Sequence, residues 1–167
     1  VKEIRKGNTM KIRESGMPVE DYWNQFFDAQ CLIKKMFGAS GCDGDVVEFG
    51  CGYGTFTIPA AASTKGTVFT YDIESELIEQ IRTRAHKRNI TNINPECRDF
   101  VSNGTGLSPN SQSHAMIYNL LHIKEPMLLI DEAYRVLKPG GIISVIHWRS
   151  DIPTPRGPSL AIRPVPA

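Results

Sequence analysis

Asp45-Val46-Val47-Glu48-Phe49-Gly50-Cys51-Gly52-Tyr53-Gly54-Thr55-Phe56 joins a short apolar run to three alternating glycines and a helix start. Val46 to Phe49 suits a parallel strand covered on both faces. The glycines let the backbone turn sharply with positive φ, and they leave no side chain between the turn and a ligand lying across it. The stretch reads as strand, nucleotide-binding turn and helix, the opening unit of an α/β fold.

The pattern is E-x-G-x-G-x-G, with the third glycine one residue earlier than in the dinucleotide fingerprint G-x-G-x-x-G. Glu48 also places a carboxylate where a pyrophosphate would be repelled and an ammonium attracted. S-adenosylmethionine (SAM), with an amino-acid end, an adenosine end and no phosphate, fits both features.

Working outward, strands alternate with helices. Thr67 to Asp72 reads as a second strand, Glu74 to about Asn89 as a helix with the stripe Leu77, Ile78, Ile81 and Ala85, and Ile93 to Arg98 as a third strand. Residues 101 to 112 have turn chemistry and read as a surface loop. Met116 to His122 reads as a fourth strand, Pro126 to Leu137 as a helix, Lys138 to Gly141 as a turn, and Ile142 to Trp148 as a fifth strand. The alternation implies a doubly wound, mostly parallel sheet flanked by helices.

Over about residues 45 to 148 these landmarks, in this order, resemble the class I SAM-dependent methyltransferases of small-molecule type, whose sheet is Rossmann-like. The resemblance implies that Glu48, Phe49, Gly50, Cys51, Gly52 and Tyr53 form the cofactor turn. It implies that Asp72, followed by Ile73, bonds the ribose, and that Asp99-Phe100 holds adenine with a carboxylate and an apolar wall. Asn119 and Leu120 fall near the methionine end, and Arg135-Val136-Leu137-Lys138-Pro139-Gly140-Gly141 is close to the family's turn into strand five. His114 stands where many members carry an acid, away from SAM.

Methyl transfer from a sulfonium leaves a neutral thioether, so the protein chiefly has to aim the nucleophile; a base is needed only where the acceptor must lose a proton. His122, following strand four, is the first candidate for that base or for an orienting hydrogen bond, against the alternative that it satisfies a loop carbonyl. His147 is the second candidate, unless it points into a helix on the sheet face.

The chain has 167 residues, 41% of them hydrophobic, which suits one domain with an ample core. Lys and Arg number 19 against 18 Asp and Glu, so no strong field favours nucleic acid or an anionic membrane, and a small acceptor is expected. No apolar run approaches a membrane span and no signal-peptide core follows the charged start, so a cytoplasmic protein is expected. Cys31, Cys42, Cys51 and Cys97 are too scattered for a zinc site and read as free thiols, and no metal is expected.

Residues 1–17 read as a flexible arm and residues 18–167 as one SAM-binding domain, divided into an N-terminal helical segment 18–38, a core 45–148 and a Pro-rich tail 149–167. Tyr22, Trp23, Phe26 and Phe27 crowd one helix, either as core or as a lid over the cofactor. Asp28 is placed to cap a second helix that Gly38 ends. The tail carries five prolines from Pro153 to Pro166 and is expected to run extended, with Arg149, Arg156 and Arg163 solubilising it or binding an anion. The family's usual strands after the fifth are missing from this sequence. An open sheet edge would follow, and with it a homodimer through that edge. Two other readings stand beside the enzyme: a non-catalytic SAM-binding or interaction protein, and a nicotinamide-dependent oxidoreductase, which the glycine spacing and Glu48 oppose.

Overall fold

Val46–Phe49 (β1) is buried along its whole length and pairs in parallel on both sides, with Val68–Asp72 (β2) and with Gln112–Tyr118 (β4). A computed structural model describes residues 18–154 and 157–165. Ile93–Cys97 (β3) extends the sheet beyond β2, and Leu137–Ile146 (β5) extends it beyond β4, giving a parallel sheet of order β3-β2-β1-β4-β5. The expected doubly wound α/β fold is therefore present. The chain passes from β1 to β2 and β3 on one side and returns to β4 and β5 on the other, so strand order reverses between β1 and β4.

Strand alternation divides the core. Val46, Val68, Met116 and Tyr118 pack with Ile33 and Phe37 of Ala29–Phe37 (α2) and Ala60 and Ala61 of Thr57–Ser63 (α3). Val47, Phe49, Ala115 and Ile117 pack with Leu129, Ala133 and Val136 of Met127–Val136 (α6). Leu77, Ile78, Ile81 and Ala85, the expected stripe, are the buried residues of Ser75–Lys87 (α4). Asp28 Oδ1 accepts from Cys31 N at 2.9 Å and caps α2, which ends at Gly38 with φ +80°. The four cysteines are free thiols.

Local differences have local causes. The aromatic helix is only the single turn Glu20–Trp23 (α1), and Phe26 and Phe27 follow outside it, packing on Trp148 and Phe56. Asp99 caps a short helix Phe100–Asn103 (α5) inside the expected loop, accepting from Val101 N and Ser102 N. Strand β4 begins at Gln112 rather than Met116 and ends at Tyr118. Lys138 to Gly141 is drawn into β5 as a bulge instead of standing apart as a turn: pairing jumps from Gln112↔Leu137 to His114↔Ile142. Pro139 cannot donate to a ladder and Gly140 sits at φ +79°, so the interruption falls where the sequence permits it.

His114 lies inside the sheet layer, 2% exposed, with Nε2 2.8 Å from Ser144 Oγ and its ring 4.6 Å from Phe37. Burial lowers its pKa to about 4. The tail includes a 3-10 turn, Leu160–Ile162, and is not simply extended. Arg163 does not solubilise the tail. It is 6% exposed, and its guanidinium donates to the carbonyls of Pro158, Ile152, Thr154 and Arg149 at 2.7 to 3.4 Å while lying over the Trp148 ring. Arginine is tolerated there because its planar fork satisfies a folded-back backbone. The 1–17 arm, Pro155, Arg156, Pro166 and Ala167 lie outside the described residues.

Candidate functional site

The turn after β1 is held by the strand beside it. Gly50, Gly52 and Gly54 have φ of +75°, +49° and +79°. Cys51 N donates to Tyr71 O at 2.9 Å, Gly52 N donates to Asp72 Oδ2 at 3.0 Å, and Glu74 N donates to Asp72 Oδ1 at 3.1 Å. Asp72, at the end of β2, thus fixes the glycine turn while lining the space above it. A Cβ on Gly54 would lie 2.3 Å from Ile81 Cδ1, and one on Gly50 would lie 2.9 Å from Leu120 Cδ1. Only glycines allow the turn to approach both α4 and the loop after β4.

Glu48 sits beneath this turn, 3% exposed, with Oε2 accepting from Thr57 Oγ1 at 2.5 Å and Thr70 Oγ1 at 2.6 Å. Burial pushes its carboxyl up to about 7, against the two hydroxyl donors.

A cavity of about 530 Å³ opens over the β1/β4 switch point. Its floor is Gly50, Cys51 and Gly52; one flank carries Asp72, Ile73, Asp99 and Phe100, and the other Tyr118, Asn119, Leu120 and His122. This is where open α/β sheets bind ligands. Glu48, Phe49, Tyr53 and His147 stand behind its wall rather than in it. Phe49 is fully buried with its ring 5.6 Å from Phe100, and Tyr53 Oη donates to Pro18 O at 3.0 Å.

The roof comes from two distant segments. Tyr22, Trp23 and Phe26 supply one half, and Trp148, Gly157 and Pro158 the other. Phe26 and Trp148 meet edge to face at 5.7 Å, and Gly157 lies so close to the Trp148 ring that a Cβ would fall 2.7 Å from its atoms. Trp23 Nε1 donates to Thr55 Oγ1 at 3.1 Å, and Arg84 donates to Tyr53 O and Glu20 Oε2, both at 2.6 Å, which ties α1 to the glycine turn. Trp23 and Phe27 also pack on the core cluster, so Trp23 belongs to both the core and the cavity lining. In sequence, Trp148 closes the run read as the fifth strand, and the stretch 154–159 that holds Gly157 and Pro158 resembles a substrate-proximal loop.

On the β4 flank, Asn119 adopts φ +58°, with its N–H donating to Ile146 O at 2.7 Å. Its Nδ2 is buried without a hydrogen-bond partner among the described residues. His122 Nδ1 lies 3.3 Å from His147 Nε2, and His147 Nδ1 lies 2.8 Å from Trp148 O. Burial lowers both imidazole pKa values, reinforced at His122 by His147; at His147 the Trp148 hydrogen bond opposes the shift and Arg163 adds to it. The two candidate histidines form one unit, of which only His122 lines the cavity.

The family model described as a methyltransferase domain matches residues 46–141. No curated protein matches the chain. Among solved structures, the chain is similar to a SAM-dependent methyltransferase from Aquifex aeolicus, with 22% identity over 83% of this chain and 73% of that one and a TM-score of 0.71. It is similar to geranyl diphosphate methyltransferase in complex with SAM, with 16% identity, 76% and 52% of the two chains covered, and a TM-score of 0.65. A Haemonchus contortus N-methyltransferase, solved with phosphomonomethylethanolamine and S-adenosylhomocysteine, matches at 25% identity over 74% of this chain and 28% of that one, with a TM-score of 0.62. The match thus spans about half or less of the last two chains.

Proposed function

The chain belongs to the class I SAM-dependent methyltransferase family, and from that premise we propose that it transfers a methyl group from SAM to a small-molecule acceptor held in the cavity over the switch point. The observation that carries this reading is that one cavity joins the Asp72-braced glycine turn to Asn119 and His122 across the β1/β4 boundary.

The residues present fit the cofactor. The glycine floor is a cradle that side chains would fill, and Asn119 Nδ2 is a buried donor awaiting an acceptor, such as a ligand carboxylate. Asp72 would hold the ribose with Ile73 beside it, and Asp99 with Phe100 would hold adenine. Gly50, Cys51, Gly52, Asn119 and Leu120 would border the methionine end. Phe49 and Tyr53 support the turn from behind. Glu48 would lie beneath the ammonium, whose positive charge would favour the ionised form of this buried carboxyl. When bound, SAM supplies an electrophilic methyl on a sulfonium. The chain's own residues then orient the acceptor, and α1 with the tail excludes water.

A second reading, a non-catalytic SAM-binding or interaction protein, is favoured by the β5 edge, where Ile142, Ile143 and Val145 are exposed. A homodimer through that edge belongs to the same proposal, as do the division into segments 18–38, 45–148 and 149–167 and a cytoplasmic location. Among the described residues no helix is long and apolar enough to cross a membrane.

Calorimetric titration with S-adenosylhomocysteine, with NADH as control, tests the cofactor assignment. Saturable binding of the first alone is expected. Binding of NADH instead would restore the oxidoreductase reading, and cofactor binding without transfer to any acceptor would favour the second reading.

A further inference from the structure

We propose that the acceptor is a hydroxyl on a flat, uncharged, largely apolar molecule, a phenol-type oxygen, and that His122 Nε2 takes its proton while His147 fixes which nitrogen of His122 is free to do so. The inference rests on the methyltransferase reading above and names that site's acceptor class.

Proton bookkeeping gives the base. Trp148 O can only accept, so His147 Nδ1 carries a hydrogen and, in a neutral ring, His147 Nε2 is left as an acceptor. His122 must therefore bond it through Nδ1–H, which leaves the lone pair on His122 Nε2. No described residue bonds that nitrogen. Desolvation favours the neutral state of both rings that this requires.

The cavity's roof gives the acceptor's character. Trp148 meets Phe26 edge to face at 5.7 Å and Phe26 meets Tyr22 at 4.8 Å, so three contacting aromatic rings line it. Among the described residues no lysine or arginine lines the cavity. Arg163 is engaged with tail carbonyls, and Arg84 with Glu20 and Tyr53 O. A carboxylate or phosphate on the acceptor would find no counter-charge among the described lining residues. The cavity's two carboxylates, Asp72 and Asp99, belong to the β2 and β3 ends, across the switch point from His122, and are engaged by the turn amides and the α5 cap. Among the described residues a cationic acceptor would find no carboxylate on the cavity's β4 flank.

The step balances without a further reactant. His122 Nε2 takes the O–H proton, an oxygen lone pair forms the bond to the methyl carbon, and the carbon–sulfur pair stays on sulfur. The products are a methyl ether, a neutral thioether and an imidazolium, so the positive charge passes from sulfonium to His122, which then releases its proton to water.

The test uses 2-naphthol and 2-naphthylamine as a shape-matched pair, S-adenosylhomocysteine titration for the cofactor site, and nitrogen-15 NMR of the His122 ring. Transfer to naphthol in preference to the amine is expected, with a loss of roughly 10²- to 10⁴-fold in kcat for His122→Ala and retained S-adenosylhomocysteine binding. NMR should show His122 protonated at Nδ1. His147→Leu should mix the tautomers and slow transfer, and His147→Gln, whose side-chain oxygen still accepts, should restore both. A cofactor-binding protein that methylates neither probe, or the amine equally well, or that keeps its rate in His122→Ala, overturns the acceptor assignment alone. A protein that binds no S-adenosylhomocysteine overturns the cofactor reading and this inference with it.

Discussion

Asp72 Oδ2 accepts the Gly52 N–H at 3.0 Å, so the acid that ends β2 is also the brace of the turn that follows β1. Two strands that are neighbours only through the sheet are thereby locked at the point where a ligand would cross them. Desolvation raises this carboxyl's pKa while the Glu74 and Gly52 amides oppose the rise.

Asp72→Ala should weaken S-adenosylhomocysteine binding by about 10- to 100-fold, the equivalent of about 1.5–3 kcal/mol for hydrogen bonds to a charged group. Asp72→Asn, which can still accept from Gly52 N, should lose less. Calorimetry beside a circular dichroism check on folding separates the two; equal affinity in all three proteins would remove Asp72 from the site.

Gly54→Ala should destabilise the fold through two separable effects. The φ of +79° strains any L-residue, by roughly 1 kcal/mol, and the new Cβ meets Ile81 Cδ1. Trimming Ile81 to valine in the double variant should relieve only the contact. Urea denaturation of the four-protein cycle measures the coupling, and strict additivity would mean that the Ile81 contact is not what excludes a side chain at Gly54.

Glu48 and His114 make opposing contributions to the pH dependence of stability. Glu48, raised from 4.5 to about 7, gives a stabilising contribution present below pH 4.5 and lost as pH rises through 7. His114, lowered from 6.5 to about 4, gives one present above pH 6.5 and lost as pH falls through 4. Between pH 4.5 and 6.5 the two slopes oppose, each spanning up to about 3 kcal/mol. Relative to wild type, Glu48→Gln should gain stability as pH rises across that window, and His114→Phe should gain it as pH falls. Chemical denaturation at pH 4.5 and 6.5 checks both signs.

Arg163→Lys should release the tail, because an ammonium cannot span the carbonyls of Pro158, Ile152 and Thr154. Limited proteolysis within residues 149–165 should accelerate and the acceptor KM should rise, while S-adenosylhomocysteine affinity, set by the turn and Asp72, should stay close to wild type. Unchanged proteolysis would show that the guanidinium does not organise the tail.

Arg84→Gln should loosen α1 from the glycine turn by removing the bond to Glu20 and weakening that to Tyr53 O. For a pair about one-third exposed the effect is up to about 1 kcal/mol, or roughly fivefold faster dissociation of S-adenosylhomocysteine. Added salt should speed the wild type toward the variant. Stopped-flow rates that are the same for both proteins at low salt would mean that α1 does not gate the site.

The sequence by itself determined the signals that short stretches carry. The apolar run Val46 to Phe49, the three glycines after it, the α4 stripe and the Asp28 cap follow from periodicity, φ preference and hydrogen bonding within a few residues, and the structure reproduces each. Strand ends were legible too, which is why Asp72, Asp99, Asn119 and His122 could be named and are found lining one cavity. Boundaries were less legible where pairing overrides local preference, as at Gln112 and at the Lys138–Gly141 bulge. Only the tertiary structure decided which side chains face which. Glu48 and Thr70 are separated by 22 residues, His122 and His147 by 25, and Phe26 and Trp148 lie at opposite ends of the chain. Those contacts depend on strand order, register and the returning path of the tail. They are set by burial and by the satisfaction of buried polar groups across the whole fold, and no window of neighbouring residues contains them.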